Sequence, residues 1–201
     1  MANQDYITTI KQRRSIYALG KNVTDTKEEV TELIQSAIKE TPSSFNNQTV
    51  RAAILFGKSS DSFWEIVAEK LKAEVPDEES YKATRQKIDS FKAGVGTILY
   101  FTDNDIVKQY QEQFALYAEN FPAWAEQANG MAQINVWQAL ATKQIGASVQ
   151  HYNPLVDEAV RATFNIPESW HLRAQMPFGS IEAAAGEKEY IADGNRFKIF
   201  E

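Results

Sequence analysis

The sequence predicts an α+β fold in which helices cover a small central sheet. Helical periodicity dominates the chain, and only about four or five runs have the length and composition of strands. These runs do not alternate regularly with the helices, which argues against a doubly wound parallel sheet. With 201 residues and 43% hydrophobic content the chain is large enough to bury one core, so we expect a single domain over residues 1–201.

Apolar spacing and capping residues indicate the first two helices. Tyr6 to Leu19 is expected to be helical, with a basic cluster in its last turns. A second helix follows two overlapping capping boxes, Asp25-x-x-Glu28 and Thr26-x-x-Glu29. Pro42 is expected to end that helix, because proline cannot continue it.

The middle of the chain alternates between strand and helix signals. Val50 to Phe56 is a short apolar run stopped by Gly57, which is the length of a buried strand. Phe63 to Leu71 returns to helical spacing, and Lys82 to Lys92 predicts a polar, mostly exposed helix. Thr97 to Phe101 is predicted to be a second strand.

Long helices are predicted for the next part of the chain. They span Ile106 to Tyr117 and Met131 to Ile145, the second closed by Gly146 in the position of a C-cap. Another helix is expected up to Phe164. Strict alternation from Trp170 to Phe178 predicts a half-buried strand.

Composition and charge exclude several classes of function. The net charge of −6 has the wrong sign for general binding to nucleic acid or to an anionic membrane surface. No stretch approaches the roughly 20 apolar residues of a membrane span. Met1–Asp5 lacks a charged-then-apolar export signal, so a cytoplasmic location is expected.

The chain has no cysteine and only two histidines. Disulfides, thiolate nucleophiles and cysteine-ligated metals are thereby excluded, and no metal site is expected. If the protein performs redox chemistry, an organic cofactor must carry it. The sequence has neither a G-x-G-x-x-G nor a P-loop motif, and its Gly146–Gln150 segment lacks the final glycine of a nucleophile elbow.

Arg13, Arg14 and Ser15 are candidates for holding a phosphate group. A phosphate monoester carries nearly two negative charges and favours guanidinium donors together with a hydroxyl. Taken alone, such a cluster near a helix C-terminus is more often a solvated patch that complements the helix dipole.

The loop Pro42–Gln48 suits the polar edge of a flat ring system. Asn and Gln each offer a donor and an acceptor, and Pro42 restricts the backbone so that the amides are preorganised. The same composition is also typical of an ordinary turn that ends a helix. The candidate residues of this loop are Ser43, Ser44, Phe45, Asn46 and Gln48.

Two further segments carry candidate residues. In Gly146, Ala147 and Ser148 the small side chains would let the backbone approach a flat ring closely, although a plain C-cap followed by an edge strand explains them equally well. Tyr117, Phe121 and Trp124 form an aromatic stretch that would line an apolar pocket for planar molecules, or pack in the core or at a dimer interface. We assign no catalytic role to His151.

Together these segments resemble the nitroreductase family, in particular its small bacterial and fungal branch with the fatty-acid-repression-like and copper-induced members. The resemblance rests on Arg13-Arg14-Ser15, Pro42–Gln48, Gly146–Pro154 and Ala174–Gly179, and it spans nearly the whole chain. It implies a central, mostly antiparallel sheet and a C-terminal segment exchanged in a homodimer. Phe197, Ile199 and Phe200 would be costly to leave in water, which suits that arrangement.

The resemblance also implies a function. FMN would be the bound cofactor, NAD(P)H a transient co-substrate, and nitroaromatics or quinones the small planar acceptors, in a ping-pong reaction with no catalytic side chain. The family draws a further phosphate ligand from the region of Lys188, Arg196 and Lys198, of which Arg196 is our choice. By the same resemblance, the candidate residues named above would form the site at the dimer interface, and the aromatic stretch would determine which acceptor binds.

Two other interpretations remain open at this point. The branch has been tied to lipid-linked regulation as well as detoxification, so the chain would also suit a flavin-binding regulatory or stress-response protein with only incidental reductase turnover. A globular α+β protein without a cofactor is the third possibility.

Overall fold

A computed structural model describes residues 6–201. Met1–Asp5, on which the expectation about an export signal rests, lie outside the described residues. The helices are α1 Tyr6–Gln12, α2 Lys27–Lys39, α3 Lys58–Lys72, α4 Glu78–Lys92, α5 Asn104–Gln113, α6 Phe121–Thr142, α7 Asp157–Phe164 and α8 Asp193–Arg196. The strands are β1 Leu19–Gly20, β2 Val50–Phe56, β3 Gly96–Asp103, β4 Gly146–Ala147 and β5 Trp170–Ile181.

These strands form one sheet in the order β1-β5-β3-β2, and β4 also pairs with β5. All four strand pairings are antiparallel. This confirms the predicted α+β class and the mostly antiparallel sheet. The strand β5 is central, and Ala174 to Gly179 are buried on both of its faces rather than half-buried as predicted. Conversely, β2 lies at an edge and is mostly half-buried, although the sequence predicts a buried strand.

Helices pack on both faces of the sheet. On one face, α3, α4 and α7 bury their apolar residues against Leu99 and Phe101 of β3. On the other face, α2 and α6 pack against Ile98 and Tyr100. Because side chains alternate along a strand, the same strand supplies both cores. No helix in the described part of the chain is long and apolar enough to cross a membrane.

The second helix forms as its capping residues predict. Thr26 is the N-cap, its hydroxyl accepts a hydrogen bond from the Glu29 backbone N–H, and the Glu29 carboxylate accepts from the Thr26 N–H. Of the two overlapping boxes, the structure therefore uses Thr26-x-x-Glu29. Val30 and Ile34 of this helix are buried, as its periodicity predicts.

The predicted first helix is too long. It ends at Gln12, and Arg13, Arg14 and Ser15 are not helical. Ile16 is buried, and its N–H donates to the carbonyl oxygen of Ala147 at 2.9 Å. The helical conformation is lost here because this segment binds to the sheet layer instead of to its own preceding turn.

Other helix boundaries also differ from the prediction: α3 begins at Lys58 instead of Phe63, and α4 begins at Glu78 instead of Lys82. The helix predicted for Ile106–Tyr117 ends at Gln113, and a 3₁₀ turn over Ala115–Asn120 follows. The helix predicted from Met131 begins ten residues earlier at Phe121, with Pro122 in its first turn, where a missing N–H costs nothing. It ends at Thr142, so Gly146 is not its C-cap. Gln144 takes the left-handed conformation instead, with φ 57°.

Candidate active site

The segments around Ser15 and Ala147 lie side by side although they are far apart in sequence. Ser15 and Ala147 form a parallel bridge, and β4 is anchored in turn to β5. Gly146 is required here by packing, because a Cβ at this position would lie 2.9 Å from side-chain carbons of Ile16 and Ile181. The structure thus joins two of the predicted site segments through backbone contacts.

A groove of about 500 Å³ opens beside this junction. One wall is residues 13–18, and the other is residues 183–188, which follow β5. Arg13, Arg14 and Lys188 contribute three positive charges to it, Ser15 contributes a hydroxyl, and Glu187 contributes one negative charge, so positive charge predominates. We call this site the cationic groove. Its donor set fits the charge and the hydrogen-bonding capacity of a phosphate monoester.

Arg13 has no ion-pair partner among the described residues 6–201. Its Nε is buried without a hydrogen-bond partner, and its guanidinium carbon lies 4.2 Å from the ring centre of Trp137. Burial lowers the pKa of Arg13, and the neighbouring charge of Arg14 lowers it further. A buried donor without a partner carries a free-energy cost.

Arg14 has a different environment. Its Nη2 donates a hydrogen bond to the carbonyl oxygen of Gly186 at 2.6 Å, which fastens one wall of the cationic groove to the other. Lys188 belongs to the wall that Arg14 holds. Arg196, our choice from sequence, lies instead in the exposed tail with its guanidinium carbon 5.6 Å from the ring centre of Phe197, and it does not line this groove.

The loop with the predicted amides has an unusual backbone. Phe45, Asn46 and Gln48 all have positive φ values of 55°, 52° and 48°. Non-glycine residues rarely adopt this conformation, and its strain persists only where surrounding contacts hold it. One such contact is the hydrogen bond from the Gln48 backbone N–H to the Ser43 hydroxyl, 2.9 Å. Ser44 begins the 3₁₀ turn Ser44–Asn46.

Two buried polar residues beside this loop were missed by the sequence analysis. Both amide atoms of Asn47 and the hydroxyl of Thr49 are buried without a hydrogen-bond partner in the described structure. Asn47 lies between the predicted site residues Asn46 and Gln48, so its amide could have been included in the prediction. Nothing in the sequence around Thr49 indicated a binding role. Buried polar groups without partners are rare and mark places where water or a ligand binds.

The aromatic stretch and the amide loop form one surface. The ring of Phe45 lies 4.6 Å from that of Phe114, 6.0 Å from Tyr117 and 6.3 Å from Trp124, measured between ring centres. Phe121 is fully buried beneath them. Tyr117 and half of Phe45 are exposed, so these rings, rather than Phe121, offer a face to a planar molecule.

The two halves of the predicted site remain separate within one chain. Among residues 6–201, no hydrogen bond or ion pair joins the Ser43–Gln48 loop to Arg13–Ser15 or to Gly146–Ser148. His151 is exposed. Over the same described range, no group of three or more His, Cys, Asp or Glu side chains could hold a metal ion.

Known proteins of similar sequence are nitroreductases. A profile of the family described as the Nitroreductase family matches residues 10–180. HBN1 from Saccharomyces cerevisiae, whose name as a nitroreductase is provisional, is 35% identical over 197 residues, which cover 97% of this chain and 96% of HBN1.

Solved structures agree. Nitroreductase CinD from Lactococcus lactis in complex with nicotinic acid superimposes with a TM-score of 0.91 at 52% identity, covering 98% of this chain and 100% of CinD. CinD has also been solved with chloramphenicol and with 4-nitrophenol. A provisionally named nitroreductase from Desulfovibrio desulfuricans in complex with FMN has a TM-score of 0.66 at 21% identity, with 97% of each chain covered, and so shares the fold.

Proposed function

This chain belongs to the nitroreductase family, and we propose that it is an FMN-dependent oxidoreductase that uses NAD(P)H to reduce nitroaromatic or quinone-type acceptors. The observation that carries the proposal is the cationic groove. It combines Arg13, Arg14 and Lys188 with Ser15, in a chain whose net charge is −6. A local concentration of positive charge in an acidic protein supports a dedicated anion site.

The positive charge that predominates in the groove suits one terminal phosphate. No pyrophosphate-binding glycine-rich turn occurs in the sequence, which favours FMN over FAD. Arg13, Arg14, Ser15 and Lys188 would hold the phosphate, while amides and hydroxyls of the Ser43–Gln48 loop would contact the polar edge of the ring. When bound, FMN supplies the hydride chemistry.

The protein's own residues would bind the flavin, orient its ring and screen its charge. The strained Ser43–Gln48 loop would present its donors in a fixed arrangement, and Gly146–Ser148 would bring backbone close to the ring. No side chain has to act as an acid or base, because solvent can supply the protons. The same exposed face would serve NAD(P)H and the acceptor in turn.

We infer further that the complete site needs two subunits. The cationic groove and the amide loop lie apart in one chain, and the tail after β5 leaves Ile199 and Phe200 each 89% exposed. Large apolar side chains at that exposure favour burial against a partner. A homodimer that joins the groove of one subunit to the amide loop of the other would account for both observations.

The aromatic surface supports small planar acceptors. CinD was solved with 4-nitrophenol and with nicotinic acid, and we extend this class of ligand to the present chain. Phe45, Tyr117 and Trp124 would contact the acceptor, with Phe121 supporting them from below.

Spectroscopy of the purified protein tests the proposal. A flavin absorption spectrum that bleaches on anaerobic addition of NADPH or NADH is the expected result, and denaturation should release FMN. Recovery of FAD, or of no flavin after reconstitution with FMN, would refute it. Tight FMN binding with only slow NAD(P)H oxidation in the presence of every acceptor would favour the regulatory alternative.

A further inference from the structure

Trp137 contacts both segments that meet at the cationic groove. This half-buried residue of α6 carries the Arg13 guanidinium on one ring face, 4.2 Å from the ring centre. Its indole Nε1–H donates to the carbonyl oxygen of Ala147 at 3.1 Å. In the sequence, Trp137 fits the apolar periodicity of the helix predicted from Met131 to Ile145, which by itself indicates only a packing role.

The carbonyl of Ala147 is a shared acceptor. It receives the N–H of Ile16 at 2.9 Å as well as the indole N–H of Trp137. A carbonyl oxygen has two lone pairs, so both donors are accommodated. Helix α6 and the strand segments around Ile16 and Ala147 are thereby held at one point, next to the side chain of Arg13.

A second Trp–Arg pair, between Trp170 and Arg51, differs from the pair of Trp137 and Arg13 in how the guanidinium is used. Arg51 lies 5.9 Å from the ring centre of Trp170, but it also forms an ion pair with Asp103 at 3.1 Å and donates to the carbonyls of Gln48 and Val50. The charge of Arg51 is therefore paired with a carboxylate, and its Nη1 and Nη2 groups already donate to protein oxygens. Arg13 forms no ion pair with any residue in the described range 6–201.

This difference matters for anion binding. An aromatic face attracts a guanidinium through its quadrupole, and that attraction is strengthened when the pair is partly desolvated. The ring face leaves the in-plane N–H groups of the guanidinium free, whereas a carboxylate would occupy them and neutralise the charge. A carboxylate at this position would therefore compete with a bound phosphate.

We propose that Trp137 is a positioning residue for the phosphate of the cofactor: it holds Arg13 in place with its charge and its hydrogen-bond donors free. This inference rests on the proposed FMN function. It assigns Trp137 a role in selecting a phosphorylated flavin over one without a phosphate.

The test compares FMN with riboflavin, which lacks the phosphate, on apoprotein prepared from the intact chain. Quenching of flavin fluorescence gives both dissociation constants, so no turnover is needed. Trp137→Leu should lower FMN affinity on the order of tenfold and leave riboflavin affinity much less affected. Trp137→Phe keeps a ring face and should restore most of the preference for FMN.

A double-mutant cycle links the effect to Arg13. In an Arg13→Ala background, Trp137→Leu should no longer change the ratio of FMN to riboflavin affinity, whereas in an Arg14→Ala background it should still do so. Trp170→Leu is the matched control, since it removes the other Trp–Arg contact and should leave the ratio unchanged.

The outcomes separate the two proposals. If the unmodified protein binds neither flavin, the proposed function is wrong. If it binds FMN, but Trp137→Leu weakens both flavins equally or acts independently of Arg13, Trp137 is only a packing residue and the inference is wrong.

Discussion

Arg14 donates a hydrogen bond to the carbonyl oxygen of Gly186, and the two atoms are 2.6 Å apart. Arg13, the preceding residue, makes no such contact and lies on the face of Trp137. These two adjacent arginines of the cationic groove therefore make different contacts. Arg13 packs against an aromatic ring, whereas Arg14 holds the segment that follows β5.

This difference predicts that only Arg14 protects the tail from proteolysis. Arg14→Ala should speed tryptic cleavage after Lys188, because the wall that contains Gly186 and Lys188 loses its anchor. Arg13→Ala is the matched control and should cleave at the rate of the unmodified protein. Mass spectrometry of timed digests measures both rates. Equal rates in the two variants would show that the contact does not hold the tail.

Both arginines should nevertheless contribute to FMN retention. Replacing either Arg13 or Arg14 with alanine should weaken FMN binding by about 1.5–3 kcal/mol, the value of a lost charge-assisted hydrogen bond. Folding should survive, because neither residue belongs to the buried apolar core. Equilibrium titration of apoprotein measures the affinity. Unchanged affinity in both variants would mean that the cluster is a solvated surface patch.

The exposed tail predicts a dimer that depends on apolar contacts. Replacing Phe197, Ile199 and Phe200 together with serine should lower dimer stability and FMN content, while Arg196 and Lys198 are retained. Sedimentation at several micromolar concentrations measures the association. Glu201→Ser, in the same exposed segment, is the control and should have no effect. An unmodified protein that sediments as a flavin-loaded monomer would contradict the prediction.

Steady-state kinetics should be ping-pong through one pocket. Double-reciprocal plots against NAD(P)H at several acceptor concentrations should be parallel, with inhibition at high acceptor, because no separate dinucleotide motif is present in the sequence. Trp124→Leu should change the KM for acceptors more than it changes FMN affinity. Intersecting lines would reveal two distinct sites.

Phe121 lies beneath the exposed aromatic rings, and its replacement should affect stability as well as acceptor binding. Its ring is fully buried, so Phe121→Ala should cost about 3–5 kcal/mol of stability in addition to any effect on acceptors. Urea unfolding separates this loss from the kinetic change. A fully stable Phe121→Ala variant would mean that this ring does not support the aromatic surface.

An ion-pair network between α3 and α4 predicts a pH-dependent contribution to stability. Arg85 donates to both carboxylate oxygens of Glu65, and Lys92 donates to one of them. Hydrogen bonds from Arg85, then from Lys92, lower the pKa of Glu65 from 4.5 to about 2. Since the folded pKa is depressed, the contribution is fully present above pH 4.5 and is lost as the pH falls towards 2.

Glu65→Gln should therefore lower the free energy of unfolding at pH 7 by on the order of 1 kcal/mol or less, because the carboxylate is partly exposed and screened by solvent. The gap between the variant and the unmodified protein should narrow as the pH is lowered from 4.5 to 3. Urea denaturation at each pH measures it. Glu69→Gln on the same helix is the control, as Glu69 forms no ion pair among residues 6–201. A gap that does not change with pH would exclude an ionic origin.

Local sequence patterns were sufficient to predict several helices and strands, because the interactions that form these elements join residues close together in sequence. The capping box Thr26–Glu29 and the apolar stripe of α2 need only neighbouring turns, and the bounds of β2 were predicted to the residue. The candidate residues on Arg13–Ser15 and Gly146–Ser148 were named as two separate segments, from their residue types together with the resemblance to the nitroreductase family. Nothing local indicated that Ser15 pairs with Ala147, since a parallel bridge depends on the register of the whole sheet.

What the sequence determined by itself was the α+β class, the elements with strong periodicity and the types of residue available for a phosphate and a flat ring. Tertiary structure decided where α1 ends, because Ile16 gains more by binding Ala147 than by extending the helix. It also decided where α6 begins, since apolar residues occur all around that helix in the sequence and only the fold selects the single face that is buried. Trp137 acquired its second role in the same way. From sequence, a tryptophan in a helix is predicted to be a core residue. Only the fold places the Arg13 guanidinium on the ring face of Trp137 and the Ala147 carbonyl at its indole N–H.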